Sequence, residues 1–278
     1  MSSFFDSPEF VNNEEIIATG TFPFAAIFSP PQGSKVFGLA VKLEQAALCG
    51  WDEQLGADAG WQQVEWEHAD GALSQVFITT APRFTVLKRS PLQIKFLANG
   101  QDPQYLKYDQ QVYKQLKESP EVKAKLWRVE IFSRSLIVPF SGFTPITSMP
   151  LALTTKGAVG AVFGKALTDH YKACVPVLQQ LENSNKRIPL TAAIMSHVII
   201  DGKFVKDMAG TPPETSTIAK LTIAPPTVDS FIIPEQHSAT SQSLLAWQKS
   251  YTDVVKPYEL SPKEQQAQLA GDDEEPVF

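Results

Sequence analysis

Two cysteines and four histidines are all that 278 residues offer of the side chains that build disulfide frameworks and zinc sites. Cys49 and Cys174 stand far apart with no C-x-x-C, and His68, His170, His197 and His237 share no metal spacing with each other or with cysteine. The sequence therefore predicts neither a disulfide scaffold nor a metal site, and no cofactor. No window approaches the ~18–20 apolar residues of a membrane span. Residues 1–20 are acidic, without the basic start and apolar run of a signal peptide, so the expected location is the cytosol. G-x-S-x-G, H-E-x-x-H and an obvious carboxylate pair are missing too, and the chain is expected not to be an enzyme. A phosphate-binding loop fails on spacing, because Gly164-Lys165 would require Gly where Val159 stands and Ser or Thr where Ala166 stands. The G-x-x-G of Gly157 and Gly160 follows a predicted strand rather than a helix, which favours close helix packing over a nucleic-acid clamp.

What the chain has is a globular balance, with 43% apolar and 19% charged residues, punctuated by 21 prolines that mark turns. Its net charge of −6 conceals three unequal parts. Residues 1–79 hold 2 basic against 11 acidic side chains, residues 80–220 hold 19 against 10, and residues 221–278 hold 3 against 9. A middle of +9 between flanks of −9 and −6 is the asymmetry expected of a nucleic-acid surface with an acidic tail.

Strand signals dominate from Thr21 to about Ala98. TFPFAAIF and KVFGLAVKL flank a Pro-Pro-Gln-Gly turn, and Asp70-Gly71 divides QQVEWEHADGALSQVFITT as a hairpin. RFTVLKRS and LQIKFLA follow. In residues 101–122, Tyr105, Tyr108, Val112, Tyr113 and Leu116 recur at spacings of three and four, which fits a short helix or ordered loop. WRVEIFSRSLIVPF, residues 127–140, is the best strand: Trp127, Val129 and Ile131 share one parity, and Arg128, Glu130, Phe132 and Arg134 the other. A helix is expected from about Ala158, kinked or ended by Pro176. IPLTAAIMSHVIIDGKFVK reads as two strands turning at Asp201-Gly202, AKLTIAPPTVDSFIIP as weak strand, and residues 237–255 as a final helix. Strands, a central helix and further strands imply a mainly β, α+β fold rather than a βαβ alternation. The expected organisation is an acidic arm (1–20), one β-rich domain (21–260), and a flexible linker with an acidic tip (261–278).

The last eight residues, GDDEEPVF, place four acids before an apolar tip ending in Phe278. An aromatic for a pocket, a terminal carboxylate for a basic residue and acids for steering make a compact recognition hook. This tip resembles that of bacterial and phage single-stranded DNA-binding proteins. Asp272, Asp273, Glu274 and Glu275 match the acidic run, Pro276 the proline and Phe278 the closing aromatic, while the order Pro276-Val277-Phe278 departs from the usual apolar-then-proline arrangement. The resemblance covers about eight residues. It implies an OB-like barrel that coats exposed single-stranded DNA, with those six residues recruiting replication, recombination and repair enzymes.

The basic middle supplies the other half independently. Single strands are held by a positive groove and by aromatics on which bases stack. The candidate groove residues are Lys88, Arg89, Lys95, Tyr105, Lys107, Tyr108, Tyr113, Lys114, Arg128, Phe132 and Arg134, interleaved with further lysines such as Lys117. Strand parity turns Arg128, Phe132 and Arg134 outward together, while Trp127 is expected in the core. Core packing competes with stacking for Tyr105, Tyr108 and Tyr113. The leading expectation is a sequence-nonspecific single-stranded DNA-binding protein. An acidic adaptor or inhibitor of a nucleic-acid-binding protein, and a strand-annealing recombination protein, are the alternatives. Oligomeric state stays open, a homo-oligomer included.

Overall fold

A computed structural model describes residues 22–29, 36–67, 73–98, 104–181, 190–211 and 214–251. The predicted acidic arm, both hairpin turns at 30–33 and 70–71, and the acidic tip lie outside them. The protein is a mixed α/β structure made mostly of strands, with a curled half-barrel sheet and few helices. Among the described residues no helix is long and apolar enough to cross a membrane.

Strands β1 (Phe24–Phe28) and β2 (Gly38–Lys42) pair antiparallel across the Pro-Pro-Gln-Gly segment, as do β3 (Gln62–Glu67) and β4 (Leu73–Thr79) across Asp70-Gly71. Short helices α1 (Leu43–Leu48) and α2 (Glu53–Asp58) intervene, α2 capped by the Asp52 carboxylate accepting from Leu55 N at 2.9 Å. There follow β5 (Arg83–Arg89), β6 (Gln93–Ala98), β7 (Gln104–Lys107), helices α3 (Gln110–Glu118) and α4 (Pro120–Lys123), and the 15-residue strand β8 (Trp127–Ser141). After β9 (Thr144–Pro145) and β10 (Leu151–Lys156) come helices α5 (Gly157–Leu181) and α6 (Ala192–Ser196), then β11 (Ile200–Thr211), β12 (Glu214–Ile223) and α7 (Ser238–Ser250). The main path through the sheet runs β12-β11-β5-β8-β10-β1-β2-β4-β3, with β6 and β7 extending from β8. The pairs are antiparallel except β1 with β10.

Two expectations fail for identifiable reasons. Asp201-Gly202 is not a turn; β11 runs straight through it and pairs with β12 from Gly202↔Ile223 to Thr211↔Glu214. The segment before it forms α6, because the Thr191 hydroxyl accepts from Ile194 N and starts a helix that the apolar run conceals. Pro176 does not end α5, which continues to Leu181 with Pro176 on its solvent side. Strand β7 was not expected.

Strand β8 organises the core. From Ser135 to Phe140 every residue is buried, because helices cover both faces there. Ile137 packs in one cluster with Phe84, Leu153, Phe163 and Leu167, beneath α5. Leu136, Val138 and Phe140 pack with Leu87, Ile199 and Leu244, beneath α7, whose Gln248 Nε2 also donates to Leu87 O at 3.1 Å. Two-sided burial explains why SLIVPF loses the alternation of WRVEIFSR. Beyond α7, over residues 127–134, one face of β8 opens to solvent.

Candidate nucleic-acid interface

Residues directly opposite on neighbouring strands share a sheet face, so register decides what this open face presents. Lys95 of β6 stands opposite Glu130 of β8 on one side and Tyr105 of β7 on the other. Gln93 stands between Phe132 and Lys107 in the same way. On the far side of β8, Lys156 of β10 is opposite Phe132, and Thr154 opposite Arg134. Lys95, Lys107, Tyr105, Arg128, Glu130, Phe132, Arg134 and Lys156 therefore occupy one face across four strands.

Glu130 sits among three cations. Its Oε1 lies 2.7 Å from Arg128 Nη2 and 3.8 Å from Lys156 Nζ, with Lys95 directly across the ladder. These neighbours act on Lys156 in opposite directions. Burial lowers its pKa first; Glu130 opposes that, and Arg128 and Lys95 push further down. A bound anion would relieve this repulsion.

Aromatic rings lie among the cations. Tyr105 covers Phe132 edge-on at 5.7 Å, and the Lys95 ammonium sits 5.7 Å from the Tyr105 ring centre. Helix α3 begins where the Asp109 carboxylate accepts from Gln111 N and Val112 N at 2.8 and 3.0 Å. It delivers Tyr113 beside Tyr108, ring centres 6.2 Å apart, with the Lys117 ammonium 5.9 Å from the Tyr113 ring. Between α3, α4 and the start of β8 lies a cavity of about 300 Å³ bounded by Tyr113, Lys117, Val122, Trp127, Arg128 and Glu130. Burial, Tyr108 and Glu130 all raise the Tyr113 pKa, so the hydroxyl of this lining residue stays neutral.

The sheet brings some of the residues expected in a groove together and not others. Lys95, Tyr105, Lys107, Arg128 and Arg134 share the face, and Tyr108 and Tyr113 border it. Lys114 points to solvent from α3 and pairs with Glu118 at 3.9 Å, an ordinary i,i+4 helix pair. Lys88, at the β5 bulge opposite Leu136, is half-buried. Phe132 has the expected parity but is not an outward platform: it is 5% exposed, flanked by Gln93 and Lys156 and roofed by Tyr105. Arg89 does not belong to this face at all. It is opposite Ser135 and turns toward Ser133 on the side covered by α5. Trp127, expected in the core, is half-buried against Phe96 at 4.9 Å and borders the cavity. Lys156 was missed, although the alternation in LALTTK puts it on the same side as Ala152 and Thr154. What sequence could not supply was the neighbour, since only the pairing of β10 with β8 brings Lys156 to Glu130. Residues 272–276 and Phe278 lie outside the described residues. Among the described residues no group of His, Cys, Asp and Glu could hold a metal ion.

A family model described as a domain of unknown function (DUF5895) matches residues 20–241. No curated protein and no solved structure matches the chain.

Proposed function

We propose that this chain, which belongs to the DUF5895 family, binds single-stranded DNA without sequence preference, on the open face of β6, β7, β8 and β10. The observation that carries the reading is the gathering of Lys95, Arg128 and Lys156 about Glu130 on one sheet face, with the Tyr105 ring among them. Phosphates are held by cations clustered along a groove, and a base laid on an aromatic contributes about 1–3 kcal/mol whatever its identity. Tyr105 is the first stacking platform, and the cavity between Tyr113 and Trp127 takes a second base. The curled sheet then serves as an elaborated OB-like support. Residues 272–278 recruit replication, recombination and repair enzymes in the cytosol, and the protein acts by coating rather than by catalysis.

Titrating a fluorescent oligo-dT with the full chain and with Tyr105→Ala tests the site. The variant is expected to bind 5- to 150-fold more weakly, roughly the loss of one stack. Equal affinity of the two proteins would remove the face from the account, and an inert wild type would remove the function.

A further inference from the structure

On the opposite side of the sheet, beneath α5, lies a polar cluster that strand binding does not use. Arg89, the last residue of β5, donates from Nε and Nη2 to Ser133 Oγ at 3.3 and 3.0 Å, and that oxygen is 3.2 Å from Thr155 Oγ1. Gly164 of α5 makes the room: a Cβ there would fall 2.5 Å from Nη2 and 2.8 Å from Nη1. Among the described residues no carboxylate pairs with this guanidinium, although burial disfavours its charge. Tyr171 of α5 is near enough that Arg89 and Tyr171 shift each other's pKa. Tyr171 OH and Ser135 Oγ are both shut off from solvent, and neither has a hydrogen-bond partner among the described residues. Ser135 is the residue opposite Arg89 in the ladder.

Among the described residues, a cation without a counter-ion and two buried hydroxyls without acceptors thus lie on β5, β8 and α5 on the same side of the sheet. A sheltered polar group left unmatched costs stability, and what all three lack is the same thing, a negatively charged acceptor. We infer that Arg89, Ser135 and Tyr171 are the donors of a binding site for one phosphate-type oxyanion. Donors drawn from three separate elements suit a tetrahedral anion. A planar carboxylate would pair with one edge of the guanidinium and leave the hydroxyls idle. The site is independent of the proposed DNA face, from which the sheet separates it.

The test is binding of inorganic phosphate to the full chain by calorimetry and by ³¹P line width, at constant ionic strength. Wild type is expected to take up one phosphate saturably. Tyr171→Phe and Ser135→Ala each remove a hydroxyl with no partner in the described structure, so the fold is retained, and each is expected to weaken binding about tenfold. Arg89→Gln is expected to abolish it, and Lys249→Gln, at an exposed cation in the last turn of α7, to leave it intact. Saturating oligo-dT distinguishes the source of the phosphate: continued uptake identifies a small-molecule anion. Displacement by oligo-dT would place the bound phosphate on the open face instead and overturn the site. Absence of saturable uptake by wild type, indifference to both hydroxyl deletions, or an equal loss in Lys249→Gln would overturn the site.

Discussion

Lys156 is where the chemistry of the open face is most exposed to measurement. Its ammonium is disfavoured by burial and by Arg128 and Lys95, and Glu130 only partly restores it. Its folded pKa is therefore below the ordinary lysine value, so the charge is lost as pH rises through that lowered value. For stability the sign is opposite to that of a stabilising ion pair: the protonated side chain is a cost to the fold, and raising pH through the folded pKa relieves it. DNA affinity should thus fall on the alkaline side, earlier than an ordinary lysine would allow, without a matching loss of stability. Lys156→Arg should flatten that pH profile, because a guanidinium keeps its charge. An oligo-dT titration series across alkaline pH checks this, and identical profiles for the two proteins would contradict it. At this scale the sequence was partly legible. Parity in WRVEIFSR placed Arg128 and Arg134 together, but burial of Phe132 depends on Tyr105 and Lys156, which arrive from other strands. Arg89 was misplaced because residue type suggested a phosphate contact while only the β5–β8 register reveals its face.

Among the elements, α5 departs furthest from what local chemistry prefers. It contains Pro176 and still runs to Leu181, held by Phe163, Leu167, Cys174 and Leu178, all buried. Burial of a large apolar side chain contributes about 1.5–3 kcal/mol, enough for packing to override one missing backbone hydrogen bond. An interior proline costs about 3 kcal/mol relative to alanine, part of which it returns by restricting the unfolded chain. Pro176→Ala should therefore stabilise the protein by about 2 kcal/mol in denaturant unfolding; a destabilised variant would mean that the ring itself is needed. The hairpins β1–β2 and β3–β4 and the strand β8 were readable because alternation and turn residues agree with the final pairing. Asp201-Gly202 misled because turn chemistry is a local preference, and ten consecutive pairs between β11 and β12 outweigh it. Strand β7 is four residues long, too short for alternation to declare itself.

At the scale of the whole molecule, the charge partition is the feature that joins sequence to structure. The basic middle contributes Lys95, Lys107, Arg128, Arg134 and Lys156 to one open sheet face, while residues 221–278 carry a net −6. Tethered acids compete with a polyanion for the same cations at high effective concentration. Removal of residues 271–278 should leave oligo-dT affinity unchanged or improve it while abolishing capture of partner enzymes, as read by titration and by pull-down with the intact protein as control. Undiminished capture would exclude the tip from recruitment. The central claim is that the open face neutralises DNA phosphates, and it is tested most directly by the salt dependence of oligo-dT affinity. Each phosphate neutralised contributes about −0.7 to the log–log slope, so Lys107→Gln combined with Arg134→Gln should make the slope shallower by about 1.4. A slope that is the same in the double variant and the wild type, or no binding by the wild type at low salt, would contradict the account.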